Sequence, residues 1–240
     1  MKKRLLLMAV AVLLTIGQGF IHAGGKAGKL LAGVRHLTQS TVIVNRGQKV
    51  IYFDPYRLPE EKHDADAVFV THPHSDHFSL ADIKAALKPG GILVAPKDAA
   101  ARARSGGIDK TIPVLPGKEY EAAGLRFTTV PAYNLNKGYH PKSMNWVGYL
   151  VRLGDVTFYF AGDTDLIPEM KGIKADVAFL PVGGIYTMNA EEAAQAANLI
   201  KPAVAVPVHF YDLVGTTADA QKFVSLLAEG IEGVILRHVE

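Results

Sequence analysis

Cysteine is absent from all 240 residues. That excludes disulfide staples, thiolate metal ligands and lipid anchoring through sulfur. A chain without disulfides needs a sizeable core, and 49% hydrophobic composition over this length supplies one. Also missing are linkers, low-complexity runs and repeats at solenoid periods, so the chain is expected to form one domain, 24–240, behind a short leader. Excess charge of one sign is missing as well once the leader is set apart. Residues 1–23 hold three basic and no acidic side chains, which leaves 23 basic against 23 acidic residues in the remainder. The formal charge of +3 belongs to the leader, and a nucleic-acid partner is not expected.

The leader reads as a secretory signal peptide, 1–23. Met1-Lys2-Lys3-Arg4 is a basic start, Leu5 to Ile16 an apolar run, and Gly17 to Ala23 a small-residue end. The run is short against the roughly 20 residues of a membrane span. An exported, periplasmic or secreted protein without stable membrane insertion is expected; left uncleaved, the same segment would be an anchor.

What is present in quantity is concentrated in Thr71-His72-Pro73-His74-Ser75-Asp76-His77-Phe78. Three imidazoles and a carboxylate stand between His72 and His77, in a chain with nine histidines. These are the ligand types that borderline divalent metals such as zinc prefer. Ala67-Val68-Phe69-Val70 before the cluster is a short apolar, β-branched run, and Ser79 after it is a helix N-cap. The cluster therefore sits on a strand-to-helix loop, where α/β proteins place their sites.

The remaining pattern is α/β. Thr41 to Val44 and Lys49 to Phe53 read as a hairpin around Asn45-Arg46-Gly47-Gln48. A helix is expected from Leu80 to Leu87, a strand over Ile92 to Ala95, a helix over Lys97 to Arg104, and strands at 125–130, 147–153 and 156–160. Then strand and helix alternate: Val177 to Leu180, a helix from Ala190 to Ile200 capped by Asn189 and Glu192, Val204 to Val206, a helix from Ala218 to Leu227 capped at Thr216, and Val234 to Leu236. Pattern alone says α/β with two sheets possible.

Three polar residues end otherwise apolar strands: Asp54 after Ile51-Tyr52-Phe53, Asp163 after Phe160-Ala161-Gly162, and His209 after Pro207-Val208. A buried carboxylate or imidazole must be paired, hydrogen-bonded or metal-bound, because desolvating it alone is too costly. At these residues the chain resembles the metallo-β-lactamase-fold hydrolases, over roughly Gly33 to His238. His72-x-His74-x-Asp76-His77 is similar to the family's main signature, Phe160-Ala161-Gly162-Asp163-Thr164 to its bridging-aspartate element, and Pro207-Val208-His209 to its last histidine element. Gly162 to Asp165, Leu180 to Gly184 and Tyr186-Thr187-Met188 are most similar to a branch of ascorbate-phosphate-lactonase-like and uncharacterised metal-dependent hydrolases.

The resemblance implies a four-layer α/β/β/α sandwich of two mixed sheets with helices on the outer faces. It implies two divalent ions, zinc first, with manganese or iron as alternatives. His72 and His74 would bind one ion, Asp76, His77 and His209 the other, and Asp163 both. The family's usual third histidine of the first ion has no counterpart after Val130-Pro131-Ala132-Tyr133-Asn134; His140 is the candidate, reached by a long loop containing Gly138. Asp54 is expected to orient a ligand from behind. His36 is either near the site or structural, and His22, His63 and His238 are assigned no function.

The expected chemistry is hydrolysis by a hydroxide held between two ions, with Asp76 or a metal-bound water moving the proton and no Ser or Cys nucleophile. The expected substrate is a small ester, lactone or phosphoester. Lys137, Lys142 and Tyr139 could meet an anionic group or could be solvated loop residues. A nuclease and a non-catalytic periplasmic metal-binding module are the alternatives from other classes.

Overall fold

The structure, a computed structural model, describes residues 25–236. The leader expected over 1–23, His22 and His238 lie outside these residues. After a short helix α1 (Lys26–Leu30), the first sheet is built in chain order from β1 (Val34–His36), β2 (Val42–Arg46), β3 (Lys49–Phe53), β4 (Ala65–Phe69), β5 (Leu87–Pro96) and β6 (Thr111–Val114). The second runs β13 (Glu232–Gly233), β12 (Val204–Val208), β11 (Val177–Pro181), β10 (Val156–Phe160), β9 (Val147–Leu153), β8 (Leu125–Pro131) and β7 (Glu119–Ala122). Both are mixed, with antiparallel pairing from β1 to β3 and from β7 to β10, and parallel pairing elsewhere.

Alternation along the strands generates the layers. Ile51 and Phe53 of β3 and Phe158 and Phe160 of β10 face the core between the sheets, where the Phe53 and Phe160 rings stack at 4.7 Å. Tyr52 points the other way, into a cluster with Ile83 of α2 (Leu80–Ala86) and Ala99, Ala100 and Ala103 of α3 (Lys97–Ser105). Tyr159 likewise faces Ala193 and Ala197 of α4 (Ala190–Ile200) and joins a cluster that includes Phe223 of α5 (Thr217–Ser225). Three apolar interfaces thus separate four layers, the α/β/β/α sandwich of the metallo-β-lactamase fold.

Local signals hold where backbone chemistry is strict. Gly47 and Gln48 both have positive φ, 59° and 63°, between the paired Arg46 and Lys49, as a tight hairpin turn requires. Ser79 accepts the Asp82 amide, and both expected capping boxes, Asn189 with Glu192 and Thr216 with Asp219, are closed. The expectation for Val234 to Leu236 is corrected. The last strand is Glu232–Gly233, paired with Val204 and Ala205, after which Leu236 leaves the ladder and buries its side chain in the inter-sheet core. β1, β6 and β7 carry no apolar run that would reveal them; β6 contains Pro113, tolerated because it is an edge strand.

Strands β1, β3, β4, β8, β10, β11 and β12 all end on the same edge of the sandwich, given the pairing directions. The sheets are stapled there: the Tyr149 hydroxyl donates to Val70 O at 2.7 Å and the His209 amide to Gln39 O at 2.8 Å. Among the described residues, no helix is long and apolar enough to cross a membrane.

Candidate metal centre

All seven side chains expected to ligate metal arrive at this edge. The loop after β4 supplies His72, His74, Asp76 and His77, and amides of His77 and Phe78 close a turn onto His74 O. Asp163 follows β10, and His209 follows β12. Gly162 makes the Asp163 approach possible: its φ is 66°, and a Cβ there would lie 2.9 Å from Thr71 Cβ.

His140 reaches the cluster because its loop is tied down from behind. Asp165 accepts the Leu135 amide at 2.8 Å, the Asn134 side-chain amide at 3.0 Å and Lys137 Nζ at 2.6 Å. The Asn134 amide then donates to His140 O at 2.8 Å, and Asn134 Oδ1 faces His140 Nδ1 at 3.1 Å. An amide oxygen only accepts, so Nδ1 carries the proton and Nε2 is left bare toward the cluster.

Two half-sites result, one of His72, His74 and His140, the other of Asp76, His77 and His209. In the first, His72 Nε2 and His74 Nδ1 approach to 3.0 Å, and His140 Nε2 lies 3.4 Å from Asp163 Oδ2. In the second, His77 Nε2 lies 3.3 Å from both Asp76 Oδ2 and Asp163 Oδ1, and His209 Nε2 is 3.1 Å from Asp163 Oδ2. Four ligands about 2.1 Å from a tetrahedral ion lie roughly 3.4 Å apart.

His77 Nε2, His140 Nε2 and Asp163 Oδ1 are buried without a hydrogen-bond partner, an arrangement that a cation among them would satisfy. The donor set and spacing fit a divalent metal, and the cluster is capable of binding one.

Asp54 stands behind the cluster, wholly buried, at φ 42°. Its Oδ2 accepts from His77 Nδ1 and from the Thr71 hydroxyl, each at 2.7 Å, and Thr71 Oγ1 lies 3.0 Å from His72 Nδ1. The hydroxyl proton is committed to Asp54, so His72 Nδ1 donates to Thr71. One carboxylate thereby sets the tautomer of two rings and leaves both Nε2 atoms facing inward. Burial pushes the Asp54 carboxyl up, against the pull of His77.

The electrostatics of the half-sites diverge. Burial pushes His72 well below the usual imidazole range and His140 down to about 4. Burial opposes protonation at His77 and His209 too, but Asp163 and its carboxylate neighbours outweigh it, holding His77 well above the range and His209 up to about 9. Asp163 and Asp76 stay ionised against burial because of these imidazoles.

Some residues could not be read from sequence. Trp146 packs on His72, His74 and His140 at ring separations of 5.1, 5.0 and 5.7 Å and donates its indole N–H to Asp98. Gln39 reaches Asp76 and His209; neither Gln39 nor Trp146 belongs to a recognisable spacing. His36 is buried and bonds Gln39 O at 2.8 Å, and His63 is exposed beside Glu61. Lys137 is engaged by Asp165 and Thr187 O, Lys142 by Glu169 and the Tyr133 hydroxyl, while Tyr139 packs edge-on against Tyr186.

Comparison with known proteins agrees with this architecture. Residues 33–209 match the beta-lactamase superfamily domain. A UPF0173 metal-dependent hydrolase of Pyrococcus horikoshii is 36% identical over 206 residues, covering 80% of this chain and 90% of that one. Another, of Thermus thermophilus, is 33% identical over 221 residues, covering 85% and 95%. The structure of Igni18, a metallo hydrolase from Ignicoccus hospitalis, superposes with a TM-score of 0.70 at 25% identity, covering 86% of this chain and 95% of that one. With its fold, its buried histidine–aspartate cluster and these relatives in agreement, the chain belongs to the beta-lactamase superfamily as a metal-dependent hydrolase of the metallo-β-lactamase fold.

Proposed function

We propose that the chain hydrolyses a small ester, lactone or phosphoester with two divalent ions, zinc first among them, one in each half-site. The observation that carries this reading is the position of Asp163, whose two oxygens face His77 on one side and His209, His140 and His72 on the other, at 3.1 to 4.0 Å. A single carboxylate shared in this way is the element a two-ion site requires. Bound there, the ions would lower the pKa of a water and polarise the bond under attack.

The chain's own groups do the rest. Asp54 and Asn134 hold His77 and His140 in the tautomers that present Nε2. Trp146 packs as one wall against His72, His74 and His140. Asp76, half-buried in the second half-site, would relay the proton of the attacking water to the leaving oxygen. Both lysines beside the His140 loop are engaged by carboxylates, so neither singles out a phosphoryl group over a neutral ester or lactone.

The test is a panel of lactone, ester, thioester and phosphodiester substrates, run on the metal-analysed protein with zinc, manganese and iron in turn. Turnover of one class, abolished in Asp163→Ala, is the expected result. A folded, metal-loaded and inert protein would overturn the catalytic reading.

A further inference from the structure

Gln39 lies in the loop between β1 and β2, is wholly buried, and sends its side chain into the second half-site. Its φ is 47°, a left-handed conformation that a non-glycine residue rarely adopts. Its carbonyl is held by the His209 amide and the His36 ring, each at 2.8 Å. The carboxamide nitrogen lies 2.9 Å from Asp76 Oδ2 and 3.0 Å from His209 Nε2, between two groups that are themselves 3.6 Å apart. The carboxamide oxygen, in contrast, is buried without a hydrogen-bond partner. An unsatisfied buried acceptor is costly, and this one sits at the end of an amide whose other atom already touches two metal-ligand candidates.

A half-turn about Cγ–Cδ exchanges the amide nitrogen and oxygen in nearly the same volume. With the nitrogen inward, its N–H groups occupy the space a cation would take. With the oxygen inward, it would face the ionised Asp76 carboxylate, a repulsion that a cation between them would relieve. The distances suit that state: two ligands at right angles about 2.1 Å from one ion lie roughly 3.0 Å apart.

We propose that Gln39 is an oxygen ligand of the second half-site, its carboxamide turning over when a divalent cation enters. This rests on the two-ion reading above. The first half-site would then offer three imidazoles and Asp163, a set suited to tetrahedral zinc. The second would offer His77 and His209 with oxygens from Asp76, Asp163 and Gln39, a harder set of higher coordination number, suited to manganese or iron.

The experiment titrates the metal-free full chain with cobalt(II), following its visible absorption, total uptake by elemental analysis, and the fluorescence of Trp146. Trp146 is the chain's only tryptophan, and among the described residues the histidine rings it packs on are those of the first half-site, so it senses that ion. In the wild type, one equivalent should give the intense bands of tetrahedral cobalt and the other the weaker bands of a five-coordinate ion. Gln39→Met, of similar length without ligand oxygen or donor, should weaken the second equivalent by about 10- to 100-fold and leave the Trp146 response in place. Gln39→Glu keeps an oxygen but loses the donor to Asp76, and should hold the second ion at least as tightly as the wild type.

Equal weakening by Met and Glu, or a Gln39→Met protein with wild-type uptake and spectrum, would overturn the assignment while leaving the two-ion reading intact. Uptake of a single equivalent by the wild type would overturn both. Should Gln39→Met fail to fold, the wild-type spectrum still decides: tetrahedral intensity for both equivalents sinks the ligand role.

Discussion

The two half-sites share Asp163 and differ in almost everything else. His72, His74 and His140 are imidazoles that burial keeps neutral, packed against an indole. His77 and His209 are imidazoles whose pKa carboxylates raise, beside Asp76 and under Asp54. Burial thus biases the first toward neutral nitrogen donors, whereas carboxylates bias the imidazoles of the second toward protonation. The difference comes from the loops that each half-site borrows. Apolar packing around Trp146 and the Asn134 loop surrounds one, and the segments after β1, β3 and β4, with Gln39, Asp54 and Asp76, surround the other. The same residue type, placed by one fold, thus acquires opposite electrostatics from neighbours alone.

Asp163→Ala removes what the half-sites share and should have the largest effect. We expect more than about a hundredfold loss of metal affinity at both, with hydrolysis abolished and the far-ultraviolet circular dichroism unchanged; retention of both ions would show that the carboxylate bridges nothing. His140→Ala breaks one side of the comparison. Elemental analysis should find the first ion lost and the second kept, and the Trp146 response to metal should disappear. If both ions leave together, the half-sites are one unit.

Asp54→Asn should act more mildly and unevenly. The carboxamide meets His77 directly but His72 only through Thr71, so metal affinity should fall about tenfold in the second half-site and less in the first. Calorimetric titration separates the two, and an equal loss would contradict the hydrogen-bond order described above.

The smallest effect is expected at Asp66 in β4, the strand that delivers His72. Its carboxyl is held below the usual range: burial raises it, but Lys88, the Val50 amide and Lys49 win. A depressed carboxyl adds stability above its unfolded pKa and loses it as pH falls through the folded value. Asp66→Asn should cost about 0.5–1 kcal/mol at neutral pH, with the gap closing in acid, read from denaturant midpoints at pH 7 and pH 3. Altered metal affinity in this variant would mean that strand anchoring, and not local chemistry, separates the half-sites.

The sequence by itself determined the elements whose residues carry their own instructions. His72 to His77 is dense enough to name its chemistry, and the strands buried on both faces, such as Val177 to Leu180, announce themselves as apolar runs. The caps at Ser79, Asn189 and Thr216 are local hydrogen bonds written in adjacent residues. The edge strands were not legible in this way. β1, β6, β7 and the displaced β13 pair on one side only, so no continuous apolar run marks them.

Nor could sequence determine that His140 returns to the cluster. It does so through Asp165 and Asn134, which are distant from each other in the chain and meet only when β8 and β10 lie in one sheet. Gln39 and Trp146 are the clearest cases. Nothing in their neighbours along the chain marks them, because what defines them is contact with residues at sequence distances that only the closed sandwich brings together.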